Sequence, residues 1–281
     1  MRRITLSFIV SIITVLSVYN VSQAQTHLTA ALDTAQAVPA PDVATQPTGT
    51  GTFTLLPTSF LAFKLRFNIT VTNLSGPIIA AHFHHAPAGE IGPVVRTITD
   101  EFDGHTASGI WSIADDEPLT PDLVRALLNG EIYVNIHTAA NPAGEIRGQV
   151  YPTAGFKAVL NTQQAVPTPT VSTTPSGTGS FVLRGTRRGV ELSFDITVDD
   201  LSSPIIAAHF HHAPRGQTGP VVRTITAAFN GNTASGTWRS TDDEPLTPAL
   251  LKALLNGEIY VNIHTAANPA GEIRGQLIVV E

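Results

Sequence analysis

The sequence predicts an all-β protein built from two tandem antiparallel Greek-key β-sandwich or barrel domains, each with one short helix. Short segments that alternate apolar and polar residues follow one another along the chain, which is the pattern of half-buried strands. The 22 glycines and 20 prolines separate these segments and are typical of many tight turns. The chain also repeats itself once, which predicts two copies of the same fold.

The two copies are offset by 127 or 128 residues, which is far too long a period for a solenoid repeat. The landmarks pair as His82 with His209, Trp111 with Trp238, and His137 with His264. Each copy is therefore predicted to be a domain, with bounds 25–152 and 153–281. The boundary "YPTAG" at 151–155 is where the last strand of one copy leads into the first strand of the next. Because this connection is short, the two domains are expected to lie close enough to pack on each other.

The first 24 residues have the composition of a secretory signal peptide. Arg2 and Arg3 form a basic start, residues 4–18 form an apolar core, and Ala24 precedes a cleavage point before Gln25. The alternative is a membrane anchor, but a spanning helix needs about 20 apolar residues and this stretch is shorter. The sequence therefore predicts an exported protein, located in the periplasm or cell envelope or secreted from the cell.

Charge and composition narrow the possible partners. The chain has 16 basic and 22 acidic residues, and loss of Arg2 and Arg3 with the leader would bring its net charge to about −8. This acidic balance excludes a nucleic-acid partner, and no membrane attachment is expected after cleavage, since no second long apolar segment follows. There is no cysteine, so stability must come from core packing, a metal, or both.

Seven or eight strands are predicted in each copy. In the first copy they are "THLTAAL", "GTGTFTLL", "LAFKLRFNITV", "PIIAAHFHH", "PVVRTIT", "TASGIWSI", "EIYVNIHT" and "EIRGQVY". The third is the clearest, because its apolar residues recur at every second position and share one face: Leu61, Phe63, Leu65, Phe67 and Ile69. The last two strands carry charged residues at alternating positions. Cross-strand ion pairs are expected among Glu131, Glu145 and Arg147.

One helix interrupts the strands of each copy. Thr120 is a favourable N-cap, Pro121 suits the first helical position, and Gly130 ends the segment. Its apolar face is formed by three leucines: Leu123, Leu127 and Leu128. The second copy repeats the pattern between Thr247 and Gly257.

Three histidines within four residues stand in the strand "IIAAHFHH". Residues two apart on a strand face the same way, so Ile79, Ala81 and Phe83 are expected on the core face. His82 and His84 then share the opposite face. His85 falls on the other side or begins the turn that follows, and its counterpart in the second copy is His212.

A third histidine is expected to join this pair from a later strand. In "EIYVNIHT" the core face is Ile132, Val134 and Ile136, which places His137 on the opposite face. If the two strands are neighbours, His82, His84 and His137 converge, as do His209, His211 and His264 in the second copy. Imidazoles in this arrangement suit zinc or copper(II).

Two other interpretations of the histidines are compatible with the sequence. Histidines at strand ends often hydrogen-bond to turns, so the cluster is a candidate for a purely structural role. The cluster is also a candidate surface for contact with an unknown extracellular ligand or protein. Neither interpretation needs a metal.

Several motifs together resemble the CHRD domain family, which is named for chordin. They are the segment "AAHFHHAPAGEIGPVV", the Gly-x-Trp of "SGIW" and the ending "LLNGEIYVNIHTAANPAGEIRGQV", and both copies carry them. The resemblance covers about residues 25–281. It implies an extracellular β-sandwich module that also occurs in bacterial exported proteins. In chordin the module accompanies other domains in a secreted antagonist of bone morphogenetic proteins, a role that is not carried over to this chain.

A looser resemblance is to copper–zinc superoxide dismutase, which is also a Greek-key sandwich. His82, His84 and His137 match three copper-ligand positions of that family in order, ahead of the turn "NPAGEIRGQV". The bridging histidine, the zinc loop and the disulfide cysteines have no counterpart here. The resemblance therefore implies a single-metal site.

The sequence thus predicts an exported tandem CHRD protein that acts as a non-catalytic binding module, with one candidate copper or zinc site per domain. One alternative is a copper redox enzyme of the superoxide dismutase type. The other is a structural or matrix module in which the histidines only brace turns.

Overall fold

The computed structural model of the chain describes residues 25–59, 62–186 and 188–280. The predicted signal peptide, residues 1–24, lies outside the described residues, as does Leu61. Within the described ranges, no helix is long and apolar enough to cross a membrane. The prediction of an all-β fold with two short helices is confirmed.

The first repeat contains ten strands and one helix, the tenth strand being shared with the second repeat. The elements are β1 (Thr26–Asp33), β2 (Thr48–Ser59), β3 (Ala62–Thr72), β4 (Ile78–His85), β5 (Val94–Thr97), β6 (Phe102–Asp103), β7 (Thr106–Ser112), α1 (Pro121–Asn129), β8 (Ile132–Thr138), β9 (Ile146–Gln149) and β10 (Tyr151–Asn161).

The second repeat continues with the same order of elements. They are β11 (Ser176–Thr186), β12 (Gly189–Asp199), β13 (Ile205–His212), β14 (Val221–Thr224), β15 (Phe229–Asn230), β16 (Thr233–Arg239), α2 (Pro248–Leu255), β17 (Ile259–Thr265), β18 (Ile273–Gln276) and β19 (Ile278–Val280).

All strand pairs within a repeat are antiparallel. The order in the first repeat is β5–β4–β8–β9–β1–β2–β3–β7–β6, and the second repeat has the equivalent order from β14 to β15. The sheet wraps around an aromatic core. In it the ring of Phe83 lies edge-on to Phe67, with centroids 5.5 Å apart, and stacks on Trp111 at 5.3 Å. Trp111 is fully buried and anchors this core.

The core face of β4 departs from strict alternation at its start. Ala81 and Phe83 are fully buried as predicted, but Ile79 is 49% exposed, so its predicted core position is wrong. The pairing of β4 with β8 shifts register between Ile78 and Ala80, and such an irregularity turns the preceding residues to the other side. Ile78 packs against the core in place of Ile79.

The helix α1 begins and ends where its capping residues predict. The Thr120 hydroxyl accepts a hydrogen bond from the backbone N–H of Leu123 at 3.3 Å. Gly130 follows the last turn with φ +72°, a left-handed conformation that favours glycine. In α2 the equivalent cap is Thr247, which accepts from the backbone N–H of Leu250.

Strand β10 belongs to the sheets of both repeats. Its first residues, Tyr151–Thr153, pair with β1 and complete the first repeat. Its remaining residues, Ala154–Asn161, pair with β11 as the first strand of the second repeat. The short strand β19 pairs with β10 in the position that Tyr151–Thr153 holds against β1. The chain therefore passes from one repeat to the next without leaving a strand.

Candidate metal centre

Strands β4 and β8 are neighbours, so the histidines predicted to converge do lie together. In the antiparallel ladder His84 is opposite Tyr133, and His137 is opposite Ala80. One ring nitrogen from each of His82, His84 and His137 lies within 4.8 Å of those of the other two. We call these three residues the first triad. The same holds for the second triad, which is His209, His211 and His264.

The triad lies on the face of the sheet that is turned away from the aromatic core. The neighbours of the histidines along β4, Ala81 and Phe83, are fully buried in that core. His84 is itself buried, at 8% exposure, whereas His82 and His137 are partly exposed. The site therefore has a buried inner ligand and two outer ones that solvent can reach.

Two of the imidazoles are in direct contact. His82 Nδ1 and His137 Nε2 are 3.2 Å apart, and the ring centroids are separated by 5.0 Å. The side-chain nitrogen of Asn135 lies 3.2 Å from the same His137 Nε2. His137 Nε2 is therefore the point at which three side chains of the site meet.

Backbone carbonyls determine which ring nitrogens carry a proton. His84 Nδ1 lies 2.9 Å from the carbonyl oxygen of Gly92, and His137 Nδ1 lies 3.0 Å from that of Pro142. A carbonyl oxygen can only accept, so in both rings Nδ1 donates and Nε2 keeps a lone pair. A metal-binding histidine typically donates its second ring N–H in this way.

The second triad repeats this arrangement. His211 Nδ1 donates to the carbonyl of Gly219 at 2.9 Å, and His264 Nδ1 donates to that of Pro269 at 3.0 Å. His209 Nδ1 and His264 Nε2 are 3.3 Å apart. The geometry is thus a property of the repeat and not of one loop.

The inner ligand has an unsatisfied nitrogen. His84 Nε2 is buried and finds no hydrogen-bond partner among the described residues, and the same is true of His211 Nε2. A buried nitrogen lone pair without a partner costs on the order of 1–3 kcal/mol. A metal ion would accept that lone pair, and three imidazoles are a donor set that zinc and copper(II) favour. The residues present therefore fit such an ion.

Burial favours the neutral form of the imidazoles of the first triad. It lowers the pKa of His82, and the neighbouring His137 and His84 lower that pKa further. Burial also lowers the pKa of His84 and of His137, although the carbonyls of Gly92 and Pro142 act in the opposite direction. In the second triad the pKa values of His209 and His211 are lowered by burial as well. Neutral imidazole is the form that binds a metal.

Tyr133 lies between His84 and Arg147. The His84 and Tyr133 rings stack with centroids 4.8 Å apart, and the Arg147 guanidinium carbon lies 3.5 Å from the Tyr133 ring centroid. Because β8 lies between β4 and β9, the imidazole and the guanidinium are on opposite sides of the tyrosine ring. Arg147 also donates to the carbonyl oxygens of Glu90 and Pro87, at 2.7 and 3.1 Å. It therefore fixes the loop that carries the Gly92 carbonyl.

Gly92 is required at its position by close packing. Its N–H donates to the Tyr133 hydroxyl at 3.2 Å, while its carbonyl accepts from His84. A Cβ at this residue would collide with the carbonyl of His85. Only glycine allows the loop to approach the histidine strand this closely.

The acid Glu145 does not form the expected ion pair with Arg147. It is fully buried and accepts hydrogen bonds from the Ser75 backbone N–H at 2.7 Å, the Thr138 hydroxyl at 2.5 Å and the Asn141 amide at 3.0 Å. Burial alone would raise the pKa of Glu145, but these hydrogen bonds outweigh it and lower the pKa. The carboxylate thereby holds the turn that supplies the Pro142 carbonyl to His137.

His85 and His212 lie outside the triads. His85 Nε2 is 3.9 Å from a carboxylate oxygen of Glu131, and His212 Nε2 is 3.6 Å from one of Glu258. Both are partly exposed pairs at the end of the histidine strand. The structure therefore separates the "HFHH" sequence into two triad members and one histidine with a different partner.

Sequence reasoning did not assign Tyr133, Arg147, Gly92 or Glu145 to the site. One signal could have pointed to three of them: "GEIYVNIHTAANPAGEIRGQ" is unchanged between the two copies and contains Tyr133, Glu145 and Arg147. Their partners lie in distant loops, so no local periodicity reveals the contacts.

Comparison with known proteins places the chain in a family. The CHRD domain model matches residues 28–150 and 156–277. Chordin from Danio rerio is 28% identical over 244 residues, which cover 82% of this chain and 24% of the relative. Chordin from Xenopus laevis is 25% identical over 203 residues, covering 66% of this chain and 20% of the relative. The chain spans about a quarter of the length of these relatives.

No solved structure matches the chain, so the resemblance to copper–zinc superoxide dismutase stays an expectation. The two matches of the CHRD model are separated by only a few residues of β10, and together they include both triads. The chain therefore belongs to the CHRD domain family and carries two tandem copies of that domain.

Proposed function

We propose that this chain is an exported, non-catalytic binding module in which each repeat binds one copper or zinc ion. The ligands are His82, His84 and His137 in the first repeat and His209, His211 and His264 in the second. The observation that carries the proposal is the buried Nε2 of His84, which has no partner among the described residues although its Nδ1 is hydrogen-bonded.

The surroundings of the triad support a metal ligand set. The carbonyls of Gly92 and Pro142 each accept a ring N–H, so His84 and His137 present lone pairs from Nε2. Burial favours the neutral form of all three imidazoles. A bound ion would act as a Lewis acid and would link β4 to β8. Because the protein supplies three ligands, one position would stay available to an external ligand.

The non-catalytic part of the proposal rests on the charge near the site. Attraction of a small anion such as superoxide needs a cationic side chain that faces solvent near the metal. Arg147 stacks against the site but is 2% exposed, and its N–H groups are bound to backbone carbonyls. The chain as a whole is acidic. These features favour binding over turnover.

The proposal also covers location and domain organisation. We place the domains at 25–152 and 153–281, after a signal peptide at 1–24, and we expect the two domains to pack on each other through the shared strand β10. The protein would then act outside the cytoplasm, in the periplasm or extracellular space, on an extracellular ligand or protein. Membership of the CHRD family supports an extracellular module.

A structural role for the histidines is the second candidate, and one observation favours it. His84 and His137 donate to the carbonyls of Gly92 and Pro142, so they brace two turns whether or not a metal is present. On this alternative the loss of the histidines would reduce stability equally with and without a chelator. A copper redox activity of the dismutase type is the remaining alternative, and superoxide turnover above a free-copper control would support it.

Metal content after purification with copper or zinc tests the proposal. The parent protein should hold close to two ions per chain, and the double variant His84→Ala/His211→Ala should hold almost none. The matched control is His85→Ala/His212→Ala, which removes two neighbouring histidines outside the triads and should leave metal content unchanged. A metal-free parent protein, or equal metal in the parent and the His84→Ala/His211→Ala variant, would overturn the proposal.

A further inference from the structure

A second site lies at the junction of the two repeats, away from the histidine triads. A cavity of about 1030 Å³ opens there, and we call it the junction cavity. Its walls come from α1, α2, β10, β11, β19 and the start of β1. Its volume is just above the range of roughly 300–1000 Å³ that is usual for small-molecule pockets.

The two helices contribute equivalent positions to this cavity. The matched pairs are Arg125 and Lys252, Leu128 and Leu255, and Asn129 and Asn256. The cavity therefore has an apolar and a cationic residue from each repeat. It exists only because two copies of the domain stand side by side.

The floor of the cavity is apolar and open to solvent. Val182 is 52% exposed, Val279 is 45% exposed and Val280 is 38% exposed, and all three line the cavity. Ala154 continues the same surface. Exposed apolar residues that cluster in a concave surface are a mark of ligand binding.

Val182 interrupts an otherwise polar row on the outer face of β11. The preceding outward positions are Ser176, Thr178 and Ser180, and the counterpart of Val182 in the first repeat is Thr54. The change from polar to apolar occurs at the residue that reaches the cavity. The apolar floor is thus a feature of the junction and not of the β-sandwich.

The charge around the cavity is opposite to that of the whole chain. Acidic residues outnumber basic ones by 22 to 16 overall, yet no acidic residue lines the described part of this cavity. Arg125 and Lys252 are both exposed at its edge. Arg125 pairs with Asp122, whereas Lys252 has no ion pair within the described ranges. Lys252 is thus the cation most available to an incoming anion.

We propose that the junction cavity binds a free single-chain alkyl carboxylate, such as a fatty acid of medium length. The alkyl chain lies on the valines and leucines, and the carboxylate pairs with Lys252 and competes with Asp122 for Arg125. Apolar burial supplies most of the affinity, and the two cations select an anion over a neutral alcohol of the same length. This site is independent of the metal proposal.

Calorimetric titration of the protein with octanoate, decanoate and dodecanoate, each below its micelle concentration, tests the apolar part. Each methylene that is buried should strengthen binding about fourfold. Val182→Asp should put a carboxylate on the apolar floor and weaken binding at least tenfold, whereas Val159→Asp changes an exposed valine of β10 outside the cavity and should leave the affinity within twofold. Affinity independent of chain length, or equal loss in both variants, would overturn the proposal.

Charge reversal tests the anionic part. Arg125→Glu/Lys252→Glu should weaken decanoate binding at least tenfold. The control Lys64→Glu/Arg66→Glu makes the same change in net charge at two exposed residues of β3 and should leave the affinity within twofold. Thermal melting confirms that each variant folds. Decanol binding as tightly as decanoate, or equal loss of affinity in both charge variants, would contradict carboxylate recognition.

Discussion

The imidazole of His84 and the phenol ring of Tyr133 lie face to face across two paired strands, with their planes 7° apart. This stack fixes the orientation of the inner ligand of the triad. The Tyr133 hydroxyl also accepts the Gly92 N–H, whose carbonyl in turn accepts the His84 N–H. Tyr133 therefore controls both the plane of the His84 ring and the nitrogen that carries its proton.

Tyr133→Phe is expected to weaken metal binding in the first repeat without abolishing it. The ring stack is kept, but the Gly92 N–H loses its acceptor, so the loop that fixes His84 is less well held. Loss of such an outer contact typically costs about tenfold in metal affinity. Competition with a chelator measures the affinity, and Tyr260→Phe should give the same effect in the second repeat. Unchanged affinity in both variants would show that the hydroxyl does not position the histidine.

Arg147→Met is expected to destabilise the protein by about 2–4 kcal/mol. The substitution keeps an apolar stem against Tyr133 but removes the buried guanidinium, whose N–H groups donate to the carbonyls of Pro87 and Glu90. Urea unfolding gives the free-energy change. The exposed Arg125→Met is the matched control and should stay within about 0.5 kcal/mol of the parent. A similar, small effect of both substitutions would mean that the guanidinium does not hold the loop.

Glu145→Gln is expected to cost about 1–3 kcal/mol of unfolding free energy. The carboxylate accepts hydrogen bonds from Ser75, Thr138 and Asn141. An amide would replace one of its two acceptor oxygens with an NH₂ group, which would face these donors without an acceptor. Glu272→Gln should have an equal effect in the second repeat, where Ser202 and Asn268 donate to the acid. Glu90→Gln is an exposed control and should be neutral. Denaturant unfolding distinguishes these outcomes.

The stability of the metal-free protein should fall as the pH drops below about 6.5. The pKa values of His82 and His84 are lowered in the folded state, so the unfolded chain takes up protons first. The histidine contribution is therefore complete above the unfolded pKa and is lost as the pH falls towards the lowered folded value. Urea unfolding in the presence of a chelator, repeated at pH values from about 7.5 down to 4.5, measures this loss of unfolding free energy.

The double variant His84→Ala/His211→Ala should flatten this pH dependence. In both the parent and the variant, a second decline in stability should remain below about pH 4.5. It is expected because hydrogen bonds lower the pKa of Glu145 and Glu272 in the folded state. If stability fell as steeply with pH in the variant as in the parent between pH 6.5 and 4.5, the first decline could not be assigned to the triads.

The sequence predicts well those features that depend on local periodicity. The convergence of His82, His84 and His137 follows from the two-residue period of a strand and from one assumption, that the two strands are neighbours. The helix α1 follows from Thr120 and Gly130, which act within one turn of its ends. These features need no knowledge of distant contacts.

The features that were missed depend on long-range contacts or on irregular backbone. Ile79 is exposed because a register shift in β4 breaks the alternation. Glu145 meets Ser75 across 70 positions of the chain, and Arg147 meets the Glu90 carbonyl across 57. No pattern within either segment encodes such a pairing, so an ordinary surface ion pair was the natural expectation for both residues.

Strand β10 constrains how the spacing of the repeats can evolve. Phe156, Ala158 and Leu160 point into the core of the second repeat, while Lys157 and Val159 point outwards. Unless a bulge absorbed it, an insertion of one residue after Thr153 would exchange these two sets, because side chains alternate along a regular strand. In a strand without a bulge, only insertions or deletions of an even number of residues preserve the core. The shared strand therefore fixes the orientation of the two triads relative to each other. A flexible linker between the domains would not impose this.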